Sequence, residues 1–298
     1  MRKLLTGMVL LWALCGCALA EGGLSIICTD FPCYDLARHV AGKDVKCTML
    51  LKPGTEAHSY DPTPADILAI GNADLFAFIG GESDAWADGI LAGFGSDAPP
   101  VLRMLDCVAD PIEEDEHDHD GGPEYDEHIW LSPTNAMKMV QTLGEALASV
   151  DPENAQSYRD NAAAYSAEIR AVDAEISAIV ESAARRELVF ADRFPFIYFT
   201  REYGLDVLAA FPSCTADTEP SAQTVLKLIQ KVEKDHLPAV YTIELSTQAI
   251  ARTVAEETGA EILTLHSMQT VSQSEFDAGA TWVTLMRANA EALRRGLN

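Results

Sequence analysis

The chain has 298 residues, about twice a typical domain length, which excludes a single small module and predicts two globular units with a connector. Hydrophobic residues make up 48% and charged residues 22%, enough apolar material for a sizeable core, so global disorder is excluded. With 46 Asp and Glu against 21 Lys and Arg, the formal net charge is −25; such a surface repels phosphate backbones and anionic headgroups, excludes nucleic acid as a partner and draws cations.

Arg2 and Lys3 precede an apolar run from Leu4 to Leu14, too short for an anchoring membrane helix and right for a secretory leader over residues 1–20. Export beyond the cytoplasm is expected. The segment Leu14-Cys15-Gly16-Cys17 resembles a bacterial lipobox, which would lipidate Cys17 and tether the chain to a membrane. Cleavage after Ala18-Leu19-Ala20 is the alternative and would remove Cys17. Beyond the leader lie Cys28, Cys33, Cys47, Cys107 and Cys214, an odd number. Either one disulfide forms among the first three or all serve as small buried hydrophobes. No C-x-x-C pair occurs, which argues against a thiolate zinc cage.

Strand-like runs at Leu24–Thr29, Val45–Leu50, Asp74–Ile79 and Val101–Met104 alternate with helical stretches at Tyr34–Ala41, Pro64–Ile70 and Ala85–Leu91. That rhythm predicts a parallel α/β lobe over residues 21–150. It restarts at 187–298, with strands near Leu188–Ala191, Val207–Phe211, Val240–Glu244 and Ile262–Leu265, and helices near Ser221–Asp235, Thr247–Thr258 and Glu275–Arg295. Between them, in 151–186, Asp151-Pro152 offers a helix start, and apolar residues recur at Tyr158, Ala162, Tyr165, Ile169, Val172, Ile176 and Ile179. With no Gly or Pro over 153–186, this spacing predicts one rigid helix of roughly 33 residues and about 50 Å bracing both lobes, rather than a hairpin of two shorter helices. Small adjustments are then expected in place of wide lobe closure. The expected fold class is α/β, two lobes with mainly parallel sheets joined by that helix.

Lys52 to Pro64, a loop framed by Pro and Gly, follows a predicted strand and carries His58 to the edge where α/β sheets bind ligands. One loop histidine is by itself more often structural. Pro-Gly-x-Glu-x-His-x-Tyr-x-Pro-Thr-Pro-x-Asp over 53–66, then Ala73-Asp74-Leu75 and Gly80, then Asp126-Glu127-His128-Ile129-Trp130-Leu131-Ser132-Pro133, resemble the zinc/manganese solute-binding proteins of bacterial ABC importers. The likeness extends over essentially all of the chain beyond the leader.

That resemblance implies two lobes, one long helix, and a metal in the cleft held by four side chains, two from each lobe. His58 and His128 fall on its first two ligand positions, and His266 on the fourth, which usually holds Asp. At the third position the family has a His or Glu, and this chain departs: Ala191-Asp192-Arg193-Phe194-Pro195-Phe196 is one residue longer. Asp192 is the best carboxylate there, with a helix N-cap as its alternative role. Cys214 and Glu244 stand as substitutes. Three imidazoles and one carboxylate suit Zn²⁺ better than the harder Mn²⁺.

Residues 113–128 include nine acidic side chains and His117, His119 and His128, a solvated loop that can funnel cations or hold them weakly. His39 and His236 sit in or near helix ends and are given structural roles. The implied function is extracytoplasmic, periplasmic or membrane-anchored capture of Zn²⁺ by a monomer, with delivery to an ABC permease and its ATPase and no catalysis. Manganese or iron capture by the same class, a secreted zinc hydrolase, and a surface adhesin or metal buffer are the rival readings. The hydrolase lacks a His-Glu-x-x-His motif.

Overall fold

The computed structural model describes residues 23–113, 125–211, 214 and 220–298, and so leaves the leader, Cys17, His117 and His119 outside the described residues. β1 (Ser25–Cys28) leads to α1 (Phe31–Ala41), which Asp30 caps by accepting from the Cys33 amide at 3.1 Å. β2 (Lys46–Met49), α2 (Pro64–Gly71), β3 (Leu75–Phe78), α3 (Trp86–Phe94) and β4 (Val101–Arg103) follow. The four strands pair in parallel in the order β2-β1-β3-β4. Every residue of β3 is buried, as expected of a central parallel strand covered on both faces.

α4 (Pro133–Val150) and α5 (Ala155–Ser182) form a helical hairpin, joined through a short 3₁₀ turn at Pro152–Asn154. Gly144 lets them meet closely, because a Cβ there would stand only 3.0 Å from that of Ala162. The connecting segment is thus one uninterrupted helix, at 28 residues and about 42 Å somewhat shorter than the spacing predicts. All seven residues of its expected apolar stripe are buried. They face α1, α4 and later α10, so α5 is a spine inside the protein rather than a free strut.

The strand-helix pattern then repeats: β5 (Glu187–Phe190), α6 (Ile197–Tyr203), β6 (Asp206–Ala209), α7 (Ala222–Asp235), β7 (Ala239–Thr242), α8 (Ala249–Thr258) and β8 (Glu261–Thr264). Its sheet is again all parallel, in the order β6-β5-β7-β8. The chain ends in α9 (Gln273–Asp277) and α10 (Trp282–Gly296). The sequence predicts one helix over 275–295; instead Gly279 turns left-handed at φ +75° and Thr281 opens a new helix with a capping box. In both sheets the strand order reverses beside the first strand, and ligands bind outside the carboxyl ends of strands at such a switch point.

One apolar cluster runs through α1, α4, α5, α10 and strands of both sheets, while two smaller clusters back the sheets separately. The described cysteines are all free thiols. Cys28 and Cys33 are buried, and desolvation pushes the Cys33 thiol far up and that of Cys47 to about 12, so both stay protonated as small hydrophobes. No helix among the described residues is long and apolar enough to cross a membrane.

Asp35 of α1 is fully buried inside this assembly. It accepts from the Tyr165 hydroxyl of α5 at 2.7 Å, from the Trp282 amide at the start of α10 at 2.8 Å, and from Arg38 at 2.7 Å. Arg38 also donates to the Ala280 carbonyl at 2.8 Å. One carboxylate thus ties the first lobe, the spine and the last helix together. Asp35→Ala strands two buried donors, the Tyr165 hydroxyl and the Trp282 amide, and urea unfolding is expected to show a loss of about 3–5 kcal/mol. Arg159→Ala, which breaks only the exposed pair with Glu145, is expected to leave the midpoint where it was.

Candidate metal centre

His58 is held by a loop fastened at both ends. Upstream, the Gly54 amide donates to the Val271 carbonyl at 2.7 Å, reaching across to the C-terminal half. Downstream, Thr63 and Asp66 form the capping box that starts α2, and Tyr60 donates to Asp66 at 3.0 Å. Between them a 3₁₀ turn at Ala57–Ser59 presents the imidazole. The Ser83 hydroxyl donates to Glu127 Oε1 at 2.5 Å and accepts from His58 Nδ1 at 3.0 Å. With its proton on Nδ1, His58 turns the Nε2 lone pair toward the Sγ of Cys214, 3.4 Å away. Gly81 permits this arrangement, because the Glu127 side chain occupies the space a Cβ at position 81 would need.

His128 lies in a turn just before a 3₁₀ segment, Ile129–Leu131, and Ser132 then caps α4. Its Nδ1 donates to Asp126 Oδ1 at 3.2 Å, while its Nε2, on a side chain almost wholly buried, has no hydrogen-bond partner. That is the tautomer a metal-ligating histidine adopts, with a carboxylate behind the ring and a free lone pair in front. Trp130 secures the segment to the other half by donating to the Ser267 carbonyl at 2.8 Å.

His58, His128 and Cys214 form the one grouping of His, Cys, Asp or Glu among the described residues that can hold a metal ion, their ligand atoms all lying within 4.8 Å of one another. Two members come from the half before α5 and one from the half after it. Of the four residues proposed from sequence, the structure therefore gathers His58 and His128, and with them Cys214, which the sequence offered as a substitute.

Asp192 follows β5 and lines a cavity of about 470 Å³ together with Cys214, Glu56 and Gln269. Its Oδ1 accepts from the Arg193 amide at 2.9 Å, and its Oδ2 is buried without a partner. It caps no helix, since α6 begins five residues further on, at Ile197, with Phe196 at its N-cap. His266 stands outside the three-residue grouping. Its Nδ1 accepts from the Met268 amide at 2.9 Å, which puts the ring proton on Nε2, facing Glu275 at 3.5 Å. With that tautomer Nε2 carries the proton, buried and without a hydrogen-bond partner. Glu244 is occupied too, accepting from the Ser267 amide at 2.7 Å and from the Ser267 hydroxyl.

Gln269 is a site residue that no sequence pattern singled out. Its side-chain amide donates to Glu127 Oε1 at 2.8 Å and lies 3.3 Å from His58 Nε2, the lone pair a metal would use. Only the folded return of the loop after β8 brings it there. The acidic run of 113–128 is described at its ends, where Glu113 and Tyr125 form an antiparallel bridge; residues 114–124 lie outside the described residues.

Electrostatics follow from the geometry. Burial pushes the Cys214 thiol up, but the two imidazoles outweigh burial and bring it below its ordinary value. Burial pushes both imidazoles down; Cys214 and Glu127 reverse this for His58, and Asp126 and Cys214 do so for His128, so both hold a proton more tightly than a free ring. A cation binding here therefore competes with protons at both imidazoles and at the Cys214 sulfur.

The family model described as ZnuA, zinc-uptake complex component A, periplasmic, matches residues 26–296. Zinc-binding lipoprotein AdcA of Streptococcus pneumoniae serotype 4 is 29% identical over 283 residues, covering 93% of this chain and 56% of AdcA. High-affinity zinc uptake system protein ZnuA of Bacillus subtilis is 26% identical over 303 residues, covering 97% of this chain and 94% of its own length. The crystal structure of Zn(II)-bound AdcA from Streptococcus pneumoniae superposes with a TM-score of 0.79 at 26% identity, covering 93% of this chain and 58% of that one. The chain thus spans a little over half the length of AdcA.

Because both histidines hold a proton more tightly than a free imidazole, protons compete with a metal at these rings. Affinity for a divalent ion is expected to fall as pH drops, with the decline beginning above pH 6.5, the ordinary imidazole value, rather than below it. Calorimetric titration across pH, in buffers of different ionisation enthalpy, should show protons released on binding at neutral pH.

Proposed function

The chain belongs to the zinc-uptake complex component A family, the periplasmic solute-binding component, and we propose that it captures Zn²⁺ outside the cytoplasm and delivers it to a membrane permease driven by an ATPase. The observation that carries this reading is the buried meeting of His58, His128 and Cys214, with the unpartnered Nε2 of His128 aimed into it. Two imidazoles and a thiolate match the ligand preferences of Zn²⁺. In this reading the ion is cargo, held by side chains and neither reduced nor used to activate a water.

Asp192 is the proposed fourth ligand, because its buried Oδ2 has no other partner and it lines the same cavity as Cys214. His266 then shapes the loop that carries Gln269, with Asn289 bonded to its amide at 2.6 Å and to its carbonyl at 2.9 Å. A metal bound in this way links the two halves of the molecule, so its presence alters how they sit together and marks the loaded form for the permease. The acidic run beside His128 is proposed to raise the local cation concentration. A lipid on Cys17 is proposed to keep the protein at the membrane.

Elemental analysis of the purified protein after equilibrium dialysis tests the reading: one zinc per chain is expected. His58→Ala and His128→Ala are each expected to weaken zinc binding about 100-fold or more, and Asp192→Ala about tenfold. Wild-type affinity in both histidine variants would remove the site. In cells, deletion is expected to abolish growth in zinc-depleted medium and to spare growth when zinc is plentiful; unaffected growth in depleted medium would favour an adhesin or buffer instead.

A further inference from the structure

We infer that Cys214 is a metal ligand and the residue that sets selectivity, its thiolate making this a centre for soft and borderline ions that discriminates against manganese; the inference rests on the metal-capture reading above. The family pattern visible in the sequence supplies imidazoles and carboxylates, whereas this chain brings a sulfur between its two clustered histidines. Cys214 Sγ is 3.4 Å from His58 Nε2, and all three ligand atoms fall within 4.8 Å. His128 points a second lone pair into the same space, from a residue only 1% exposed and with no partner at Nε2.

A buried cysteine is more often a small hydrophobe, and the surroundings separate the two roles. Cys214 is 93% covered, yet it belongs to none of the three apolar clusters of the described residues. Its partners are polar: the two imidazoles and, weakly, Gln269 Oε1 at 3.9 Å.

The nearby carboxylates are committed elsewhere. Glu127 receives the Ser83 amide and hydroxyl and the Gln269 amide, and Asp126 holds His128 Nδ1. What is presented to a cation is therefore two nitrogens and one sulfur, with the unpartnered Oδ2 of Asp192 on the wall of the cavity that Cys214 also lines. Soft thiolate favours Zn²⁺ and its heavier congener Cd²⁺, whereas Mn²⁺ prefers oxygen and gains little from sulfur. Selection is thus made by donor chemistry, where a carboxylate in the same position would admit both metals more evenly.

The test uses the purified protein with Zn²⁺, Mn²⁺ and Co²⁺ salts alone, comparing wild type with Cys214→Ser, Cys214→Asp and His58→Ala after circular dichroism has confirmed folding. Cobalt-loaded wild type is expected to show a near-ultraviolet thiolate-to-cobalt charge-transfer band that Cys214→Ser lacks. In competition dialysis, Cys214→Asp is expected to narrow the preference for zinc over manganese by about 100-fold. Cobalt binding without that band in wild type, or unchanged zinc/manganese discrimination in folded Cys214→Ser and Cys214→Asp, overturns the inference. If His58→Ala still loses zinc in that case, metal capture stands and only the role of sulfur fails. A wild-type protein that binds neither zinc nor manganese overturns both.

Discussion

The structure depends on one buried carboxylate. Asp35, itself out of water, receives Tyr165 from the spine helix, the backbone of Trp282 from the last helix and the partly exposed Arg38 from its own helix, all within hydrogen-bonding distance. A carboxylate removed from water is stable only when its partners replace that water, so each donor must be in place for the others to be tolerated. Because the donors lie 130 and 247 residues away from Asp35 in the chain, meeting this demand also sets how the two sheets face one another. The apolar core follows the same seam, running continuously from α1 through α4 and α5 to α10.

The candidate site is built instead from loops that follow strands of both sheets, His58 after β2, Cys214 after β6 and Gln269 after β8. Further cross-links fix the loops there: Gly54 to Val271, Trp130 to Ser267, and Trp282 Nε1 to the Trp130 carbonyl at 2.8 Å. Each anchors a segment adjoining a site residue, and together they hold the centre from both halves. Oxygens act behind the rings, where Ser83 and Glu127 orient His58 and Asp126 orients His128, while the Gln269 amide nitrogen lies in front of His58, 3.3 Å from its Nε2. Ligand basicity and tautomer are therefore decided by residues that need not touch the ion.

His266 stands outside the grouping of His58, His128 and Cys214. It sits after a strand, buried and near carboxylates, as a metal histidine should. One hydrogen bond from the Met268 amide to Nδ1 reverses the tautomer relative to His58 and His128. The same residue type at the same kind of loop edge then has its protonated Nε2 3.5 Å from Glu275.

Local periodicity was enough to identify the strands, the alternation with helices and the apolar stripe of α5, because burial of one face imposes a repeat that any stretch of chain displays on its own. His58 and His128 were legible for a related reason: each lies inside a contiguous motif of Pro, Gly, capping and aromatic residues that shapes its loop locally. The split between α9 and α10, the role of Cys214 and the position of Gln269 were decided by tertiary contacts. Gly279 and Thr281 break the last helix where Asp35 needs the Trp282 amide, a partner 247 residues away. Cys214 comes beside His58 from 156 residues further along, and Gln269 reaches Glu127 across 142. A cysteine or glutamine looks the same in sequence whether it packs in a core or meets a metal, and only the convergence of distant loops distinguishes the two.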